Sequence, residues 1–195
     1  MLIQDDGGLT MKRVLILLLI VVISFSGCNM FQNNNANGVN QNNTNDTNDI
    51  AEVDMIEREI VLYFADSQGQ FVVPESRTVK VNKDINATDF GRIVLEELIK
   101  GPKKEELYRT IPSEVKVLNI EIKGDTMFVD FSNEMHTKHW GGATGEDMTI
   151  SSLVNTMTEL EGIKKLLPSV EGMALNIEHM IIDEPLERMD DKIYK

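Results

Sequence analysis

The sequence is poor in the residues from which most cross-links and metal clusters are built. Its 195 residues include one cysteine and one tryptophan, and aromatic residues make up 6% of the chain. A single cysteine excludes an intrachain disulfide and a cysteine-rich zinc or iron–sulfur site. The shortage of aromatic rings argues weakly against a module that stacks on carbohydrate.

Basic residues are also scarce. The chain has 19 Lys and Arg against 32 Asp and Glu, which gives a formal net charge of −13. A protein that binds DNA or RNA needs a basic patch to displace condensed counterions, so we expect no nucleic-acid partner. Residues 1–27 are neutral overall and residues 28–52 carry −3, which leaves −10 on residues 53–195. The acidity therefore belongs to the part of the chain that can fold.

Residues 1–27 have the pattern of a signal peptide. Ten consecutive apolar residues, 14–23, follow Lys12 and Arg13. This run is shorter than the roughly 20 residues that cross a membrane, but it has the length of a signal-peptide core behind a positive flank. Because Met11 stands directly before that flank, we expect translation to begin there.

The only cysteine, Cys28, directly follows Ser26 and Gly27. This arrangement resembles the lipobox of bacterial lipoproteins. The resemblance implies cleavage before Cys28 and a diacylglycerol on its sulfur, so that a lipid anchor holds the protein on the extracytoplasmic face of the cell membrane. An uncleaved anchor helix with a chance cysteine is the alternative. Both interpretations place the bulk of the protein outside the cytoplasm.

Residues 28–52 are rich in asparagine, with few apolar residues and no periodicity. Such a segment cannot bury enough surface to offset its ordering entropy, so we expect a disordered tether. Aggregation is the alternative for asparagine-rich tracts, but this one is short and is interrupted by Asp, Thr and Gly. Residues 53–195 then make a single domain.

The hydrophobic pattern of this domain alternates short strands with two amphipathic helices. Strands are predicted at 60–65, 71–73, 78–82, 115–122, 127–131, 163–171 and 180–182, and helices at 86–100 and 146–161. Gly124 and Asp125, between two of the strands, predict a hairpin turn. The order β-β-α-β-β-α-β favours an α+β fold, in which both helices pack on one face of a largely antiparallel or mixed β-sheet.

Single residues mark the ends and irregularities of these elements. Pro74 is expected to end the strand before it. Asn86 is expected to cap the first helix, and Gly101 to end that helix. The apolar alternation changes phase near Leu118, which predicts a bulge. Pro168 is expected to push its strand to a sheet edge or a bulge.

A glycine-rich loop at 136–145 precedes the second helix and holds the candidate binding residues. The candidate partner-binding loop consists of Trp140, Gly141, Gly142, Gly145 and Glu146. Trp140 is expected either to anchor a partner or to pack over the sheet edge. The glycines are similar to a phosphate-cradling loop, but their spacing is wrong and Glu146 would repel an anion. A flexible loop with a helix cap is therefore favoured.

His136 and His139 lie three residues apart, near Glu134 and Glu146. Two histidines and a carboxylate can bind zinc. Spacing within a loop does not make a site by itself, and the third histidine is forty residues away. We therefore expect solvated surface histidines, with neither a metal nor another cofactor.

Paired carboxylates are the remaining catalytic candidates. Asp66, Asp130, Glu134 and Asp147 could supply the two acids of a glycoside hydrolase. In a chain with 32 acidic residues some such pair is always available, so the pattern carries little information.

An ordered set of short segments resembles the GerMN domain of sporulation and spore-germination proteins. The segments are LYFADS (62–67) with Gly69, VPESR (73–77), LEELIKGP (95–102), TIP (110–112), VDFS (129–132), GGATGE (141–146), VNTMTE (154–159), VEG (170–172) and EPLER (184–188). The resemblance implies an extracytoplasmic, membrane-tethered domain of spore-forming bacteria. It supplies no catalytic residues.

Two functions follow as hypotheses. The first is a non-catalytic binding or assembly module, tethered at Cys28, that presents a surface to another envelope protein or to the cell wall during sporulation or germination. The alternative is a small envelope hydrolase that acts on wall polymer through carboxylates. An exposed aromatic patch would favour the first, and a deep pocket of convergent polar groups would favour the second.

Overall fold

The computed structural model describes residues 54–177 and 179–195, which fall in one compact unit. The strands are β1 (Met55–Ala65), β2 (Val72–Asn82), β3 (Val117–Lys123), β4 (Thr126–Phe131), β5 (Lys165–Val170), β6 (Met173–Ile177), β7 (Met180–Ile182) and β8 (Leu186–Glu187). The helices are α1 (Ala87–Ile99), α2 (Glu134–Thr137) and α3 (Gly142–Met157), with a 3-10 turn at Asp190–Lys192. The predicted signal peptide, Cys28 and the tether lie outside the described residues.

Two sheets are present in the described part of the chain. β1 and β2 form a long antiparallel hairpin, in which Met55 lies opposite Asn82 and Ala65 opposite Val72. The second sheet has the order β3-β4-β5-β6-β7, with β8 beside β5. β4 and β5 are parallel, and the other pairs are antiparallel. A parallel pair needs a crossover connection, and α2 and α3 supply it.

This architecture confirms the predicted α+β fold with a mixed sheet. α1 and α3 contact each other, and both pack on the strands. The largest fully buried side chains of the shared core include Phe64, Leu95, Met127, Phe131 and Leu153. Within the described residues, no helix is both long enough and apolar enough to span a membrane.

Local sequence signals located several boundaries correctly. The Asn86 side chain accepts a hydrogen bond from the backbone N–H of Asp89 at 2.8 Å, which caps α1. Gly101 has φ +87° and ends that helix in the left-handed conformation. The register of β3 shifts at Leu118, as the change of alternation predicted. Gly124 makes the hairpin turn to β4 with φ +62°.

The prediction that Pro74 ends a strand is wrong, because β2 runs on from Val72 to Asn82. Pro74 lies opposite Tyr63 in the hairpin. The backbone N–H and C=O of Tyr63 point away from β2 and bond the side chains of Thr156 and Ser152. At such a position the β1–β2 ladder requires no backbone N–H from the proline, so the strand continues through it.

The sheet edge or bulge predicted at Pro168 is also wrong. β5 pairs with β4 along its whole length. On its other side β6 pairs at Ser169–Val170 and β8 at Lys165–Leu166. Pro168 lies between these two short partners, where that side of the strand requires no ladder bond.

The second long helix begins earlier than predicted. α3 starts at Gly142 instead of Glu146 and ends at Met157, so part of the predicted glycine-rich loop is helical. A one-turn helix, α2, occupies the start of that loop. Glycine has low helix propensity, so propensities alone do not predict that residues 142–145 are helical.

Candidate functional site

A groove with aromatic walls lies at the turn of the β1–β2 hairpin, and we call it the aromatic groove. Its volume is about 280 Å³, and it is lined by the hairpin turn, residues 108–110 and the N-terminal part of α3 with the residues before it. Tyr108 and Trp140 line it with 55% and 45% of their surface exposed. Of the predicted partner-binding loop, Trp140, Gly141 and Gly145 line the groove.

The glycines of the loop have steric reasons to be glycine. Gly141 has φ +93° and Gly142 has φ +57°, in the left-handed region that side chains disfavour. A Cβ atom on Gly145 would collide with the carbonyl oxygen of Trp140. The chain therefore folds back tightly on itself here, and Trp140 is displayed at the start of α3.

Buried hydrogen bonds fix the walls of the groove. Ala65 and Tyr108 exchange two backbone hydrogen bonds of 3.1 and 2.9 Å. The Thr149 hydroxyl donates to the carbonyl of Thr110 at 2.6 Å, and the hydroxyls of Thr110 and Ser152 lie 2.7 Å apart. These contacts join β1, the 108–110 segment and α3. A partner would therefore meet a surface that is already ordered, which lowers the entropic cost of binding.

His139 supports the tryptophan. Its ring lies 6.0 Å from that of Trp140 at an interplanar angle of 28°, and its Nε2 is 2.9 Å from the buried Thr149 hydroxyl. The prediction of solvated histidines is therefore wrong for His139. His136 lies elsewhere, at 3.4 Å from the backbone nitrogen of Asn176. In the described part of the chain no three His, Cys, Asp or Glu side chains are grouped as metal ligands.

Glu146, the last residue of the predicted binding loop, faces the interior and is 1% exposed. Its carboxylate accepts hydrogen bonds from the backbone N–H groups of Met180 at 2.7 Å and His179 at 3.3 Å. It ties the β6–β7 turn to α3 and is not accessible to a partner. The sequence held one signal of this, because Glu146 lies one helical turn before Ile150 in the apolar stripe.

The four candidate carboxylates have separate structural roles. Asp66 accepts two backbone N–H groups of the β1–β2 turn, and Asp130 accepts a hydroxyl and a backbone N–H near the β5–β6 turn. Asp147 pairs with a lysine of the 3-10 turn at 2.8 Å. A hydrogen bond from Ser132 lowers the pKa of Glu134, whereas a general acid needs a raised pKa. Within the described residues the four share no partner.

The VPESR and LEELIKGP segments meet at Arg77, whose ion pair with Glu75 is buried. Arg77 donates to Glu75 at 2.6 and 2.8 Å and to the carbonyls of Gly101 and Glu97 at 2.5 and 2.9 Å. Burial raises the pKa of the Glu75 carboxyl, but hydrogen bonds from the Lys104 backbone and from Arg77 outweigh it, and the pKa is lowered. These segments clamp the C-terminus of α1 to β2 and so belong to the framework.

The EPLER segment has a comparable role at the other end of the chain. Arg188 contacts the Tyr63 hydroxyl, Glu159 and Asp190, each at 2.8 Å. The Tyr63 hydroxyl donates to Glu159 at 2.6 Å, and burial, the largest cause, raises the pKa of Tyr63. This network ties the C-terminal residues to β1 and to the end of α3.

Comparisons with known proteins agree with this architecture. A family described as sporulation and spore germination matches residues 61–176. The tandem GerMN domains of the sporulation protein GerM from Bacillus subtilis are 21% identical, with a TM-score of 0.56 over 71% of this chain and 48% of that chain. The first GerMN domain of GerM is 22% identical, with a TM-score of 0.52 over 67% and 98%. No curated protein sequence matches the chain. The chain thus spans about half of the tandem protein and shares its domain fold.

Proposed function

This chain belongs to the Germane family of sporulation and spore germination, and from that membership we propose that it is a non-catalytic binding module held at the outer face of the bacterial cell membrane. The described domain is a sporulation- and germination-related domain of the GerMN kind. The partner surface that we propose is the aromatic groove, and the partner is another protein of the envelope.

The exposed ring of Trp140 is the observation that carries this proposal. Tryptophan and tyrosine dominate the energetics of protein interfaces, because they bury a large apolar area at low conformational cost. The only tryptophan of the chain is 45% exposed, beside Tyr108 at 55%. Both rings stand on walls fixed by buried hydrogen bonds, which is the geometry of an anchor site.

The charge of the domain favours a protein over the wall itself. Residues 53–195 carry a net −10. Anionic wall polymers would be repelled by such a domain at low salt, whereas a protein partner can present a complementary surface.

The anchor that we propose is the lipid on Cys28. Two acyl chains hold a protein stably on a bilayer where one does not. A flexible coil of about 24 residues, the length of the tether predicted from the sequence, spans on the order of 27 Å, which would place the groove clear of the lipid headgroups.

A comparison of two alanine variants tests the groove. The tethered protein, with Trp140→Ala or with Leu118→Ala, is crosslinked in its own envelope and recovered by affinity pull-down. Leu118 is a matched control, because it is 48% exposed and lies on β3 outside the groove lining. Loss of an aromatic hot spot costs about 2 kcal/mol or more, so Trp140→Ala should reduce capture of the partner at least about 30-fold.

Equal capture by the two variants would exclude the aromatic groove as the partner site. Release of soluble fragments from purified cell wall by the wild-type protein would instead establish the hydrolase alternative.

A further inference from the structure

The hydrogen bonds of β1 determine which backbone groups of β2 face outward. Tyr63 bonds to side chains of α3, and Ala65 exchanges backbone bonds with Tyr108, so both point away from β2. In an antiparallel ladder, opposed residues either bond each other or both point away, in strict alternation. Val72 and Pro74, which lie opposite these two residues, therefore face outward as well.

The same alternation continues along β2, because the register runs to the end of the strand without a bulge. The outer edge of β2 is thus formed by the backbone groups of Ser76, Thr78 and Lys80. All three residues are exposed, and among the described residues no other element donates to or accepts from their backbone. At the start of this edge an extended segment is already seated, since Tyr194 donates to the carbonyl of Val72 at 2.9 Å.

In the described part of the chain, the other edge of the hairpin, on β1, is also open beyond Tyr63, but its outward residues there include Glu57 and Glu59, whose exposed carboxylates oppose pairing with another acidic domain. Two edges of the second sheet are protected. β3 carries the bulge at Leu118, and Arg92 donates to the carbonyl of Val117 at 2.6 Å. β7 has only three residues, and the first, Met180, donates to Glu146. Bulges and short strands protect these edges of the second sheet, whereas the edge of β2 has neither between Pro74 and Lys80.

We infer that the outer edge of β2 pairs antiparallel with the same edge of a second copy of this chain. A two-fold axis at Thr78 places this residue opposite Thr78 of the partner subunit, and places Ser76 of one copy opposite Lys80 of the partner subunit. A threonine pair is favourable across strands, and no like charges meet directly. The exposed face of β2 contains no carboxylate, so the edge is self-complementary in an otherwise acidic domain.

Electrostatics makes this association dependent on salt. Two domains of net −10 repel each other, and the screening length falls from about 10 Å at 0.1 M salt to about 3 Å at 1 M. Dimer formation should therefore increase with salt. A single strand pair is small beside the roughly 1,600 Å² of a stable interface, so the pairing should be weak in free solution. Two copies held on one membrane would pair more strongly than in solution. That strengthening rests on the proposed lipid anchor, but the pairing itself does not.

Disulfide crosslinking tests the register. The full chain with Cys28→Ala receives Thr78→Cys, Ser76→Cys or Lys80→Cys and is oxidised in detergent solution. Bonded residues of an antiparallel pair have Cα atoms about 5.5 Å apart, within the range of a disulfide. Thr78→Cys should dimerise alone. Lys80→Cys should not dimerise alone, because position 80 of one subunit lies about 13 Å from position 80 of the partner subunit. It should crosslink to Ser76→Cys in a mixture.

A proline variant tests the same edge without crosslinking. Thr78→Pro removes an outward N–H and leaves the β1–β2 ladder intact, and Pro74 shows that the strand accepts proline in this phase. Sedimentation of the Cys28→Ala chain in 0.5 M salt should show self-association that Thr78→Pro abolishes, with circular dichroism unchanged. Self-association that persists in Thr78→Pro would overturn the inference. So would equal crosslinking at positions 78 and 80, or none at any salt concentration.

Discussion

The buried pair of Glu75 and Arg77 shows how one side chain can hold two elements together. Arg77 is 5% exposed and bonds Glu75 together with the carbonyls of Glu97, in the last turn of α1, and Gly101, just after it. Arg77→Met would leave a buried carboxylate without its cation, which costs about 3–5 kcal/mol. Lys80→Met is the matched control, because the Lys80–Glu57 pair is exposed and 3.9 Å long, worth about 0.5 kcal/mol. Urea unfolding measures both, and similar losses would contradict the assigned role.

Glu75 also predicts the acid sensitivity of the fold. Its pKa is raised by burial but lowered further by hydrogen bonds from the Lys104 backbone and Arg77, so the net pKa lies below its ordinary value. A carboxyl with a depressed pKa contributes stability above its unfolded pKa of about 4.3 and loses it as the pH falls through the folded value. The free energy of unfolding should be level from about pH 7 to 5 and then fall.

Glu75→Gln supplies the comparison for that pH profile. The variant should be less stable than the wild type at pH 7, with a smaller further loss between about pH 5 and pH 3. Parallel pH profiles of the two proteins would assign the acid sensitivity to other carboxyls.

At the scale of elements, α3 takes the place of a strand beside β1. Its hydroxyls satisfy the outward backbone groups of Tyr63: Thr156 accepts from the N–H at 3.0 Å, and Ser152 donates to the carbonyl at 2.6 Å. Both side chains are fully buried. The helix therefore covers the edge of β1 at Tyr63, where the backbone groups would otherwise need another strand.

Thr156→Val tests whether α3 supplies the hydrogen bonds that a neighbouring strand would make to β1. The variant keeps the shape of the side chain but leaves the buried N–H of Tyr63 without an acceptor, which costs about 1–3 kcal/mol. Thr156→Ser keeps the hydroxyl and should recover most of that loss. Chemical denaturation of the three proteins gives the comparison. A Thr156→Val protein as stable as the wild type would show that the hydrogen bond contributes little.

The same helix marks the limit of prediction from sequence. Local chemistry was enough for the Asn86 cap and the Leu118 bulge, because each depends on neighbours along the chain. The periodicity of α3 predicts that its polar face is exposed to solvent. Ser152 and Thr156 on that face are nevertheless buried against β1. Their partner, Tyr63, is distant in sequence, and only the tertiary fold brings the three together.

The candidate site also combines features that the sequence predicts with features that only the tertiary fold creates. The displayed Trp140 and its glycines could be proposed from sequence, because a glycine-rich turn before a helix is a local pattern. Tyr108 and the β1–β2 turn could not, since they reach the groove only through the bonds of Tyr108 to Ala65. The sequence did not predict that Glu146 points inward, because its carboxylate bonds to the β6–β7 turn. Two strands, β5 and β6, separate that turn from Glu146 along the chain.

At the scale of the whole molecule, the charge and the proposed lipid anchor should act in opposite directions. A domain with a net charge of −10 should be repelled by anionic lipid at low salt, over a screening length of about 10 Å at 0.1 M. Membrane attachment should then depend on the proposed acyl chains of Cys28 alone. We expect the mature acylated protein to sediment with anionic vesicles, and the Cys28→Ala protein, freed of its leader, to stay in the supernatant. Raising the salt should leave both results unchanged, because acyl insertion is insensitive to screening. Vesicle binding by the unacylated form at low salt would show that the domain itself carries a membrane-binding surface.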